Sequence, residues 1–199
     1  MSPKEGLGVC RGDAIRMGEI GGWRMGDERK LKQAIIRLMV GDITDLAVEA
    51  IVYYARYDLG LGSGFGGVIA AKGGPKIQEE LKKLGAAKTT DVVMTSGGSL
   101  KAKYILHAVG PRFQEENLEE KLRVTMANVF RKAEEKQIKS LAFPAMGAGF
   151  YGIPLEVCAR ETLGAAKKYL EGSDSVREVV FCLNEPYEYP PFQEQLKKM

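Results

Sequence analysis

Two short runs, Leu141–Phe143 and Val179–Leu183, are apolar at every position. A strand that alternates apolar and polar residues needs one covered face, whereas a strand with no polar side needs both faces covered. When such runs are separated by helical segments, a largely parallel sheet with helices on both sides satisfies them. The neighbouring segments fit. Ala34–Val40, Val48–Tyr54, Asp91–Thr95 and Tyr104–Val109 are short and rich in β-branched and aromatic residues. Leu118, Leu122, Met126, Val129, Phe130 and Ala133 recur at steps of three and four, which predicts an amphipathic helix over 116–136. Pro154–Leu170 reads as a second long helix with proline near its start. The stretch from Gly67 to Leu84 reads as a helix broken at Gly73-Gly74-Pro75, and 192–198 as a short closing helix. The expected fold is therefore α/β, a three-layer α/β/α sandwich with a mixed, largely parallel central sheet.

Glycine supplies 24 of the 199 residues, against a usual share of about 7 %. Each glycine costs extra chain entropy on folding, so clusters need a cause. One cluster lies between Gly6 and Gly26, among scattered charges and isolated apolar residues. No strand or helix period runs through it, so residues 1–32 read as a flexible N-terminal tail and 33–199 as one folded domain. The other glycines mark two loops. Leu59–Gly67 and Pro144–Gly152 each follow a strand and enter a helix. In open α/β sheets, ligands bind at the carboxyl ends of strands. Loops free of Cβ atoms let main-chain amides converge on an anion beside a helix N-terminus. Two such loops suggest a diphosphate held from both sides.

Several other chemistries are excluded or weak. The first loop is closed by no Lys-Ser/Thr pair, so it is not a P-loop. Gly62, Gly64 and Gly67 match G-x-G-x-x-G, but after the second regular strand rather than the first, which is weak evidence for a dinucleotide fold. Cys10, Cys158 and Cys182 are odd in number and widely spaced, so neither a disulfide framework nor a zinc site is expected. The single histidine, His107, lies inside a strand and reads as a core residue. Cys158 stands in the first turns of a helix, with nothing in sequence to activate it. The net charge of +3 is spread thinly, which is not a nucleic-acid footprint. No apolar run approaches the ~20 residues of a membrane span. The expectation is a cytoplasmic protein with no metal and no resident cofactor.

Taken in order, these segments resemble the macro domains, the ADP-ribose-binding modules of the Appr-1″-p processing family, in a divergent form. The resemblance rests on Val40-Gly41-Asp42-Ile43-Thr44, on Ala50-Ile51-Val52, on the first glycine loop, on His107-Ala108-Val109-Gly110-Pro111 and on Phe143-Pro144-Ala145-Met146-Gly147-Ala148-Gly149-Phe150-Tyr151-Gly152. It implies that Asp42 accepts a hydrogen bond from the adenine amine, with Ile43 beside it. It implies that Gly62, Ser63, Gly64 and Phe65 form one phosphate loop and Gly147, Ala148, Gly149, Phe150 and Tyr151 the other. Phe150 would cover the distal ribose. Leu183 and Asn184 would lie at the adenine end, with leucine giving apolar contact where relatives place a ring. The partners implied are ADP-ribose or a similar nucleotide, and ADP-ribosylated protein.

The departures bear on activity. Where many members carry Asn-Ala-Ala-Asn, this chain has Tyr53-Tyr54-Ala55-Arg56, so Arg56 replaces the second asparagine and could take over by pairing with a phosphate or a ribose hydroxyl. Where de-ADP-ribosylating members carry an aspartate and a histidine in the first loop, this chain has Gly66 and Ala70. The run Gly66–Gly74 is closer to the macro histone variants. No catalytic residue is assigned. Binding is the expected function, with hydrolysis of an ADP-ribose derivative or a degenerate interaction fold as alternatives.

Overall fold

The computed structural model describes residues 19–20, 23–62 and 64–199. The expectations for Cys10 and Ser63 fall outside the described residues. The strands are β1 (Glu19–Ile20), β2 (Trp23–Leu31), β3 (Ala34–Val40), β4 (Ala50–Tyr54), β5 (Val92–Ser96), β6 (Tyr104–Ala108), β7 (Ser140–Phe143) and β8 (Glu178–Leu183). The helices are α1 (Phe65–Gly73), α2 (Pro75–Leu84), α3 (Leu118–Glu135), α4 (Leu155–Gly172) and α5 (Tyr189–Lys197).

The strands form one sheet in the order β1-β2-β3-β8-β7-β4-β6-β5. The pairs from β3 through β6 are parallel, and the outer pairs are antiparallel. Alternation along β4 shows why its apolar run needs two cores. Ala50, Val52 and Tyr54 pack with residues of α3, α4 and α5. Ile51 and Tyr53 pack on the opposite face with Ile69 of α1 and Ile77 and Leu81 of α2. In β8, Val179, Phe181 and Leu183 join the first core while Val180 and Cys182 join the second. The molecule is a three-layer α/β/α sandwich with a mixed, largely parallel sheet, as the apolar runs require.

Residues 23–31, read from sequence as part of a tail, form β2 instead. The strand pairs antiparallel with β3 from Arg24↔Val40 to Leu31↔Ala34, with a bulge between Met25 and Glu28. Its sequence, Trp-Arg-Met-Gly-Asp-Glu-Arg-Lys-Leu, carries no apolar period, because most of it lies at an edge where charges deter further pairing. At the bulge the Asp27 amide donates to the Tyr189 hydroxyl of α5 at 2.7 Å, and Gln193 Nε2 donates to the Asp27 carboxylate at 2.6 Å.

Candidate functional site

Because β3, β8, β7, β4 and β6 run parallel, their carboxyl ends form one rim. Along it, in order, stand Gly41-Asp42 after β3, Asn184 after β8, the loop after β7, the loop after β4 and Gly110 after β6. The described backbone segments that carry the predicted site residues share this rim.

The loop after β7 is shaped to leave amides free. Ala148 N bonds Ala145 O at 3.1 Å, Gly152 N bonds Gly149 O at 3.0 Å and Ile153 N bonds Gly147 O at 3.0 Å. Among the described residues, the amides of Gly147, Gly149, Phe150 and Tyr151 have no protein acceptor. Gly147 has φ +78° and lies where a Cβ would stand 2.6 Å from Ile153 Cδ1 and 3.0 Å from the Tyr54 ring. Only glycine combines that conformation with that contact. A Cβ at Gly149 would instead meet open space.

The loop after β4 is pinned at one end by charge. Arg56 grips Asp58 through Nε (3.0 Å) and a terminal nitrogen (2.7 Å), and Asp58 also accepts from the Gly60 amide at 3.1 Å. The Arg56 bond and the Gly60 amide hold the Asp58 carboxyl below its usual range. Gly62 and Gly64 face open space. The first-turn amides of α1, from Phe65, Gly66 and Gly67, lie ahead of any intrahelical acceptor and add the positive end of the helix dipole. Phe65 turns its ring edge-on to Tyr53, with centroids 5.5 Å apart, so it packs downward as part of the second core's margin.

At the β3 end, Asp42 Oδ1 accepts from the Thr44 amide at 2.9 Å and from the Thr44 hydroxyl. Its Oδ2 accepts from Lys72 Nζ at 2.8 Å, and Lys72 also reaches Asp45 Oδ1 at 3.0 Å. Burial alone would raise the Asp42 pKa, but the bonds from Lys72 and Thr44 outweigh it and hold the carboxyl below its usual range. Ile43 is buried in the second core. Asn184 is exposed and donates to Glu185 from its amide group at 3.1 Å.

Leu183 differs from expectation. Its side chain is fully buried in the first core, and it offers no apolar surface to a ligand. The cause is strand parity, since successive side chains of β8 point to opposite faces and Cys182 takes the α1/α2 side.

Beyond Ala55, at the ends of β4 and β6, lies a cleft of about 450 Å³ whose lining includes Ala55, Tyr57, Gly110, Arg112, Phe113 and Tyr151. Phe150 stands beside it, 90 % exposed, with its ring edge-on to Tyr151. A broader hollow near the start of α3 includes Glu115, Glu119 and Glu120 in its lining, which suits no diphosphate.

The remaining candidates are internal. His107 is fully buried, with Nε2 2.8 Å from the Thr95 hydroxyl. Cys158 and Cys182 are buried thiols whose pKa values burial raises, that of Cys182 to about 12. Among the described residues, no group of three or more His, Cys, Asp or Glu side chains could hold a metal ion, and no helix is long and apolar enough to cross a membrane. Lys72, thirty residues from Asp42 in sequence, and Arg112, in the lining of the cleft, are not among the residues that the sequence pattern singles out. No local pattern marks either one.

The fold is an open α/β sandwich with both glycine loops at the carboxyl ends of its parallel strands, the edge where such sheets bind ligands. The Macro domain family matches residues 55–162. A macro domain-containing protein of Caldanaerobacter subterraneus is 39 % identical over 170 residues, covering 82 % of this chain and 97 % of its own length. The Oceanobacillus iheyensis macrodomain with ADP superposes with a TM-score of 0.84 at 26 % identity, over 88 % of this chain and 96 % of that one. The Trypanosoma brucei macrodomain in complex with ADP-ribose has a TM-score of 0.76 at 30 % identity, over 80 % of this chain and 68 % of that one. This chain belongs to the macro domain family.

Proposed function

We propose that the protein binds ADP-ribose or a closely related derivative, free or attached to protein. The observation that carries this reading is the set of free amides of Gly147, Gly149, Phe150 and Tyr151, on a loop next to the amino end of α1. β7 and β4 are adjacent and parallel, so the loops that follow them leave neighbouring positions on the rim, which supports a diphosphate between them. Asp42 lies two strands from β7 along the same rim and serves as acceptor for the adenine amine. The cleft beyond Ala55 receives the distal ribose, with Phe150 over it and Arg56 beside it. The family's ADP- and ADP-ribose-bound structures support the ligand class.

The rim favours holding over hydrolysis. A general base must reach the proton it removes and hold it. Asp58, the acid of the loop after β4, is engaged by Arg56 and held in its ionised form. Gly66 and Ala70 bring no titratable group.

Calorimetric titration with ADP-ribose tests the reading. Saturable heat is expected, and its absence at millimolar ligand with folded protein refutes it. Gly149→Glu adds a carboxylate in open space, so affinity should fall at least ~30-fold, a loss typical of like-charge opposition, with an unchanged melting temperature. Asp42→Ala should weaken ADP-ribose more than ribose 5-phosphate; equal losses would remove Asp42 from the adenine end.

A further inference from the structure

We propose that Lys72 sets the base specificity of this site, so that a 6-oxopurine is accepted as readily as a 6-aminopurine. The inference rests on the ADP-ribose reading above and extends it to a residue that reading does not use. It starts from the donors and acceptors left over at the β3 end. A carboxylate offers about four acceptor positions, two on each oxygen. In Asp42, Oδ1 receives both the Thr44 amide and the Thr44 hydroxyl, and Oδ2 receives Lys72. One acceptor position remains, on Oδ2. An ammonium has three N–H donors. Lys72 directs one to Asp42 and one to Asp45, which leaves one. The spare acceptor and the spare donor therefore belong to atoms 2.8 Å apart. Both side chains are about two-fifths exposed, so the pair faces solvent rather than the core. The second carboxylate, Asp45, keeps the ammonium in place when one of its partners is shared with a ligand.

An acceptor and a donor side by side read a purine edge in either sense. A 6-aminopurine presents an amine donor beside the N1 acceptor. A 6-oxopurine presents a carbonyl acceptor beside the N1–H donor. The first gives its amine proton to Asp42 and takes one at N1 from Lys72. The second takes a proton at its carbonyl from Lys72 and gives its N1–H to Asp42. An aspartate without the lysine would set its negative oxygen beside the carbonyl and weaken the oxo base by like-charge opposition. Lys72 removes that opposition.

The test is titration of the full chain with ADP-ribose and with its 6-oxo counterpart, inosine diphosphate ribose. In the wild type the two affinities should agree within about threefold. Lys72→Met should weaken ADP-ribose about tenfold, the scale of the lost bond to N1, and the oxo ligand at least about tenfold more, because its carbonyl then lies beside the Asp42 carboxylate with no cation between them. Lys72→Arg, which keeps a cationic donor, should restore the oxo ligand. A wild type that already rejects the oxo ligand by more than about thirtyfold overturns the inference while leaving the ADP-ribose reading intact. Equal losses for both ligands in Lys72→Met also overturn it and make Lys72 a residue that positions Asp42. If neither ligand binds the wild type, the ligand reading fails and the inference with it. A thermal melt of each variant checks folding, and it should not move, since exposed ion pairs contribute little.

Discussion

At the scale of single residues, the first glycine loop packs against a tyrosine. A Cβ placed on Gly66 would stand 2.5 Å from the Tyr53 hydroxyl oxygen and 3.2 Å from the ring carbon bearing it. Tyr53 is itself buried, with its phenol pushed up to about 12 by that burial, so it has little room to yield. Tyr53 and Gly66, at the two positions where the family resemblance places an asparagine and an aspartate, are thus sterically matched in this chain. The expected consequence is a coupling of about 1 kcal/mol between Gly66→Ala and Tyr53→Phe in stability, since contacting residues fail to add. Urea unfolding of the two single variants and the double variant measures it; strict additivity would mean that the contact carries no constraint. This pairing explains what sequence could and could not disclose about the site. Gly62, Gly149 and Asp42 could be singled out in the sequence because each marks a turn through its own residue type. Tyr53 over Gly66, Lys72 on Asp42 and the inward turn of Leu183 depend on contacts between segments, or on which face a strand residue takes. A one-residue change of parity reverses that face.

At the scale of elements, the same distinction separates the interior strands from β2. β4, β7 and β8 are buried on both faces, and their apolar runs announced them along with the helices that cover them. β2 carries no such signature; it is held by its ladder with β3 and by the contacts of Asp27 with α5. Its hydrogen bonds run along β3, its bulge is held by Tyr189 and Gln193, and Gly26 sits where a Cβ would meet the Tyr189 hydroxyl at 2.0 Å. A tail could be removed without consequence; this strand cannot. Deleting residues 1–32 strips the ladder from β3 and leaves a long strand with unpaired groups, a template for association. The deletion variant should melt at least about 5 °C lower, at roughly 2–4 °C per kcal/mol for a chain of this size, and should associate on concentration. An unchanged melting temperature by calorimetry would return residues 23–31 to the status of a tail.

At the scale of the whole molecule, the chain carries one histidine, and the fold places it where it controls stability against pH. His107 of β6 lies between the ring of Tyr53 from β4, 5.8 Å away and edge-on, and Thr95 from β5. The Thr95 hydroxyl donates its proton to the Ser96 carbonyl at 3.0 Å. The bond at 2.8 Å must then run from His107 Nε2–H to the Thr95 oxygen. This leaves Nδ1 as the unprotonated nitrogen, and it is buried with no partner. Protonating it would create a cation whose new N–H has nothing to bond, so burial lowers the pKa to about 4, slightly opposed by Glu80. The unfolded chain takes up that proton near the ordinary value of about 6.5. Between these values the unfolded state binds more protons than the folded state, so stability rises with pH across the window. The contribution is complete above about pH 6.5 and is lost as pH falls toward about 4, amounting to roughly 3 kcal/mol in all. Urea unfolding at pH 7, 6 and 5 should show the wild type weakening by up to about 1.4 kcal/mol per pH unit in the lower part of this range. His107→Leu should lose the slope between pH 7 and 6, where the carboxylates held below their usual range, such as Asp42 and Asp58, do not yet titrate. Parallel slopes for the two proteins would show that the imidazole is not held neutral by the fold.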